Sequence, residues 1–95
     1  MPAHKSSKLA LVHASPSECF WTSNGFVLPD LKSLEGALLD MSDETYAHHA
    51  NKKRNDFAVW VEEILHDTAC AAALRRAKSR ATAAKAVATA LKKYA

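Results

Sequence analysis

This chain of 95 residues has two glycines, two cysteines and three prolines, and no Asp or Glu after residue 67. With Gly25 and Gly36 as its only glycines, it lacks the material for a Gly-rich backbone cradle around nucleotide phosphates. Cys19 and Cys70 form no C-x-x-C pair, and two lone thiols are not the disulfide framework of a small secreted domain. They are able to pair, but the expectation is reduced thiols in the cytoplasm. No run of eighteen apolar residues exists to span a membrane. Behind Lys5 and Lys8 the apolar run Leu9 to Val12 is four residues, too short for the core of a signal peptide, so no export signal is expected.

What is present is alanine. Of the 46 apolar residues 19 are alanine, leaving 27 larger side chains for a modest core. A single domain of this size buries roughly 60–65% of its unfolded surface, which suits a cooperative fold better than a deep catalytic cavity. Charge is divided unevenly. Residues 1–67 carry six Lys or Arg against ten acids, a net of −4, and residues 68–95 carry seven bases and no acid, a net of +7. Such a molecule can meet a polyanion through one face while the other keeps it soluble.

Residues 1–17 mix small polar residues with one short apolar patch and end in Ser-Pro-Ser, a turn signal, and are expected to form a flexible arm before a single domain at 18–95. Around Asn24-Gly25, a favoured source of positive φ angles, aromatic and β-branched residues flank a turn. Residues 19–28 therefore read as a hairpin, with an aromatic-anchored loop as the other reading. Two strands are marginal alone, so Phe20, Phe26 and Leu28 are expected against helices. Asp30 can cap a helix bearing Leu31, Leu34, Leu38 and Met41, in which Gly36 costs about 1 kcal/mol against alanine. Either a neighbour approaches Gly36 closely or the helix tolerates the loss.

Ser42 opens a short helix over 43 to about 50 that carries Tyr46, His48 and His49. Asn55 or Asp56 caps a helix to about Leu65, where Phe57, Trp60, Val61, Ile64 and Leu65 form an apolar stripe with Trp60 central. Asp67 caps an alanine-rich segment from Thr68 to Lys78, and Ser79 to Tyr94 presents Ala83, Ala84, Val87, Ala90, Leu91 and Tyr94 inward. Ser79 either divides these two segments or lies within one long helix. The expected fold is all-α, a compact bundle of four to five short helices preceded by a small β-hairpin, with no internal repeat.

His49-Ala50-Asn51, followed by Asn55-Asp56-Phe57-Ala58-Val59-Trp60, lies within a stretch of about residues 20 to 80. This stretch resembles a family of small helical domains of archaea and bacteria that has no assigned chemistry. The resemblance implies a compact helical domain and supplies no site.

Five histidines raise the question of a metal. Adjacent His48 and His49 diverge by about 100° around a helix, and Asp67 separates His66 from Cys70 as a new helix start, so no metal and no cofactor are expected. His49 has a structural role open to it: an imidazole before a polar turn can bond Asn51, Asn55 or Asp56 and fix the start of the central helix. Glu62, Glu63 and Asp67 are candidate acids, and Cys19 and Cys70 candidate nucleophiles, but no spacing pairs a nucleophile with a base, so the protein is expected to be non-enzymatic.

The basic third stands out. Arg75, Lys78, Lys85 and Lys92 are spaced by three, seven and seven residues and fall on one side of a continuous helix. Arg76, Arg80 and Lys93 widen the stripe, and Lys52, Lys53 and Arg54 join it if their loop folds to the same side. Small alanine neighbours leave the long cations free to reach phosphate, with Ser79, Thr82 and Thr89 as hydroxyl partners. No pattern of planar base readers accompanies them. The expected function is non-specific binding of nucleic-acid backbone, DNA ahead of RNA, through the C-terminal helix. The alternative is an interaction adaptor or self-associating helical module, with the alanines seating a second copy or an acidic partner's helix.

Overall fold

A computed structural model of the chain describes residues 9–94. Five helices follow a short hairpin: α1 (Leu31–Asp40), α2 (Asp43–His49), α3 (Asp56–Glu63), α4 (Thr68–Arg76) and α5 (Arg80–Leu91), after β1 (Phe20–Trp21) and β2 (Val27–Leu28). The all-α bundle with its small hairpin is the architecture expected from the sequence.

Each helix begins where a side chain satisfies the unpaired N–H groups of its first turn. Asp30 Oδ1 accepts the Ser33 N–H and Ser33 Oγ accepts the Asp30 N–H, a reciprocal cap on α1. Ser42, Asn55 and Asp67 cap α2, α3 and α4 through Thr45, Ala58 and Cys70. Ser79 and Thr82 cap α5 reciprocally. Ser79 thus divides the last two segments: the backbone is extended at Ala77 and at Ser79, so α4 and α5 are separate helices.

The hairpin pairs Phe20 with Leu28 and Trp21 with Val27. Its turn differs from the two-residue Asn24-Gly25 form. The Gly25 N–H donates to the Thr22 carbonyl and the Thr22 N–H to the Phe26 carbonyl, giving a three-residue loop in which Gly25 alone takes a positive φ, 95°. Phe20 and Leu28 are buried, but Phe26 remains 56% exposed. The ladder is two residues long, so only its inward pair lies over the helices. Phe26 instead edges a shallow cleft with Leu28, Gly36, Ala37 and Met41.

In the core α5 packs on α1 and α4, and α4 packs on α3. The alanines make this closeness possible: Ala71, Ala83, Ala84 and Ala90 are buried among Leu31, Leu34, Leu38, Leu74 and Val87. Those side chains face inward and are not available to seat a partner's helix. Phe57, more than Trp60, is the aromatic centre. It is fully buried, stacks on Phe20 and Tyr46 at 5.0 and 5.7 Å, and meets the His49 ring edge-on at 5.3 Å. Trp60 closes the edge of this cluster, its indole N–H donating to the Glu18 carbonyl at 2.8 Å.

Residues 1–8 of the predicted arm lie outside the described residues. Residues 9–17 run along the bundle: the Leu9 N–H bonds the Lys93 carbonyl, the Ala14 N–H bonds the Pro29 carbonyl, and His13 lies 2.8 Å from Asp30. No helix among the described residues is long and apolar enough to cross a membrane.

Candidate nucleic-acid interface

The break at Ala77–Ser79 ends the idea of a single cationic ridge. Arg75 and Lys78 belong to the end of α4 and the link after it, whereas Lys85 is exposed on α5 and Lys92 is exposed just past its last residue. In place of the ridge there is a cleft of about 890 Å³, lined by Lys52, Lys53 and Arg54 on one wall and by Arg75, Arg76 and Lys78 on the other. Tyr46, Ala50, Asn51, Asn55 and Ala77 complete it. Six of the ten cations expected to bind are brought together here, from segments some twenty residues apart. Lys85 and Lys92 do not line the cleft.

Local chemistry builds each wall. After α2, the Asn51 N–H bonds the Arg54 carbonyl, and Asn51 Oδ1 accepts the Lys53 and Arg54 N–H groups at 2.9 and 3.3 Å. An asparagine that bonds the backbone two residues on favours such a turn, and it leaves Lys52 and Lys53 exposed at the tip. The opposite wall is the last turn of α4, where cations suit the negative end of the helix dipole. Asn55 holds the walls together, because its Nδ2 donates to the Leu74 carbonyl at 3.1 Å.

The ten cations differ in what already holds them. Lys52, Lys53, Arg76, Lys78, Lys85 and Lys92 have no carboxylate within ion-pair distance among the described residues. Arg54 pairs with Asp56 at 3.2 Å and Arg75 with Glu62 at 2.6 Å, yet both guanidinium side chains stay about half exposed. Arg80 and Lys93 do not line the cleft and are each engaged by acceptors elsewhere in the bundle. The Arg80 guanidinium donates to the Leu38 and Leu39 carbonyls at 2.8 and 3.2 Å and to Asp43 at 2.9 Å, satisfying the end of α1. The Lys93 ammonium donates to Asp67 at 2.9 Å.

Asp67 is the buried acid of this latch and also accepts the Tyr94 hydroxyl at 2.7 Å and the Cys70 N–H at 3.0 Å. Burial opposes its ionisation, but those three donors outweigh it and hold its carboxyl below the ordinary value. Burial, with Asp67 beside it, pushes the Tyr94 phenol up to about 12 and the Cys70 thiol up to about 11. A thiol so raised carries little thiolate and is a poor nucleophile. Cys19 and Cys70 are both free. No group of three or more His, Cys, Asp or Glu gathers among the described residues in a way that would hold a metal.

His49 takes the structural place open to it. Its Nε2 accepts the Ser23 N–H at 2.9 Å, which leaves Nδ1–H to donate to Asp56 at 3.1 Å. One buried ring thereby ties the hairpin turn to the first residue of α3, beside the Lys52–Arg54 turn. The lining residues that the sequence did not point to are Tyr46, Asn51 and Asn55. Each reads locally as a helix or cap residue, and only the fold brings them to α4. Comparison of the chain with protein-family models, curated proteins and solved structures finds no match.

Proposed function

We propose that this protein binds nucleic-acid backbone through the cleft between the Lys52–Arg54 turn and the end of α4, without reading base sequence and without catalysis. The observation that carries this reading is convergence. Four cations without a carboxylate partner among the described residues, Lys52, Lys53, Arg76 and Lys78, line one open cleft beside two half-exposed guanidinium groups. Like charges repel when gathered, so a cluster of six cations with only two carboxylate partners among the described residues is relieved when phosphates replace its counterions. The amides of Asn51 and Asn55 each bond the backbone through both Oδ1 and Nδ2, which fixes them in structural roles rather than presenting the paired donor and acceptor that reads a base edge.

The test is a binding titration of random-sequence DNA and RNA, side by side. Neutralising four phosphates gives a log–log salt slope of roughly −3 to −4. Binding at about 50 mM salt that is lost steeply by roughly 300 mM is expected. Unchanged nucleic-acid mobility at the lower salt overturns the proposal.

A second reading, a protein-interaction module, is favoured by a separate observation: Trp21, Phe26 and Leu39 are 66, 56 and 64% exposed. Exposed aromatics are enriched where proteins meet. Light scattering of the chain alone tests its self-associating form, for which a monomer at all concentrations is the contrary result.

A further inference from the structure

Resting on the reading of the cleft as a nucleic-acid site, we infer that the strand it takes is single, one base lying against Tyr46 and the flanking phosphates held by Lys52 and Lys53 on one side and Arg76 and Lys78 on the other. Shape is the first ground. The cations stand on two walls of a concave space of about 890 Å³. A space of roughly 300–1,000 Å³ encloses a drug-sized ligand, the scale of one or two nucleotides. A duplex is a wide convex cylinder and touches only the rim of such a cleft, whereas a flexible single strand can thread between its walls.

Tyr46 is the second ground. It lines the cleft, and its ring lies parallel on the buried ring of Phe57, 5.7 Å away at 12°. The ring is thus fixed from behind by the core. Its hydroxyl has no hydrogen-bond partner among the described residues, none of which leaves a buried side-chain polar atom unsatisfied, so it is open to solvent or ligand. Burial raises the phenol above its ordinary value, which keeps it a neutral donor. A rigid aromatic surface flanked by cations is the arrangement that binds single strands, since every base offers a π face and no base edge need be read. Tyr46 is the aromatic side chain among the described residues that line the cleft.

The test measures fluorescence anisotropy of a labelled mixed-sequence oligodeoxynucleotide of about a dozen nucleotides, single-stranded and as its duplex, at about 50 mM salt. The single strand is expected to bind roughly tenfold more tightly, within what one base–aromatic stack supplies. Tyr46→Leu, which keeps an apolar side chain on Phe57 but removes the aromatic face, is expected to erase that preference by weakening single-strand binding about tenfold. Tyr46→Phe is expected to keep it. A thermal melt of each variant establishes that it is folded. Duplex binding as tight as single-strand binding, or a folded Tyr46→Leu variant that retains the preference, overturns this inference and leaves the proposed function standing. Binding to neither probe overturns both.

Discussion

Asn55 bonds Leu74 across nineteen positions of sequence, its Nδ2 donating to the leucine carbonyl at 3.1 Å. Its Oδ1 meanwhile accepts the Ala58 N–H at 3.0 Å, so one side chain both starts α3 and ties it to the end of α4. The two walls of the cationic cleft are set by that tie. Asn55→Ser keeps a capping oxygen and loses the reach to Leu74, with an expected loss of about 1 kcal/mol. Asn55→Ala loses both roles and about 2 kcal/mol. Urea unfolding checks the ranking, and both variants are expected to weaken nucleic-acid binding while folded.

The two glycines call for opposite outcomes. Gly36 lies in α1, and a Cβ placed there meets nothing within 4 Å. No neighbour among the described residues requires the glycine, so Gly36→Ala is expected to stabilise by about 0.5–1 kcal/mol through helix propensity. Gly25, at φ 95°, closes the hairpin loop, and Gly25→Ala is expected to destabilise by about 1 kcal/mol or more although space is open there too. Paired thermal melts that move in the same direction contradict this account.

Asp67 makes stability depend on pH at both extremes. Its folded-state carboxyl sits below the ordinary value of 3.8, so its stabilisation is complete above that value and is lost as pH falls through the depressed one. Tyr94 is the mirror case. Raised from 10.0 to about 12, first by burial and then by its bond to Asp67, it stabilises fully below pH 10 and loses this as pH rises toward 12. Asp67→Asn is expected to flatten the acid limb of a stability profile and Tyr94→Phe the alkaline limb. Unaltered limbs would mean that the latch does not contribute.

Arg80 separates structural cations from binding ones. Its guanidinium holds two carbonyls of the last turn of α1 and Asp43, so Arg80→Met is expected to cost about 1.5–3 kcal/mol. Nucleic-acid affinity of the folded variant is expected to stay near that of the parent chain. A loss as large as that from a cleft cation, at unchanged stability, contradicts the assignment.

The helices were legible because their signals are local. Asp30, Ser42, Asn55, Asp67 and Ser79 cap the five helices, each beside an apolar or alanine pattern of helical spacing. His49 was legible for the same reason, since Asp56 lies seven residues away. The cationic surface was less so. Spacing along a helix shows a ridge only if the helix is unbroken, and the reciprocal cap of Ser79 and Thr82 breaks it. Nor does spacing reveal that Arg80 meets Leu38 and Asp43, or that Lys93 meets Asp67, because those partners are 42, 37 and 26 residues away. The convergence of residues 52–54 with 75–78 is likewise a product of α3 packing on α4, which no local pattern encodes.

The most direct measurement compares salt dependence of nucleic-acid affinity for the parent chain and for two charge-reversed proteins, Lys53→Glu with Arg76→Glu in the cleft and Lys85→Glu with Lys92→Glu on α5 and its C-terminal cap. The cleft protein is expected to lose affinity steeply and to flatten its log–log salt slope by about two, while the α5 protein keeps most of the parent's affinity and slope. Equal losses from both, or a loss confined to the α5 protein, would contradict a binding surface centred between the Lys52–Arg54 turn and the end of α4.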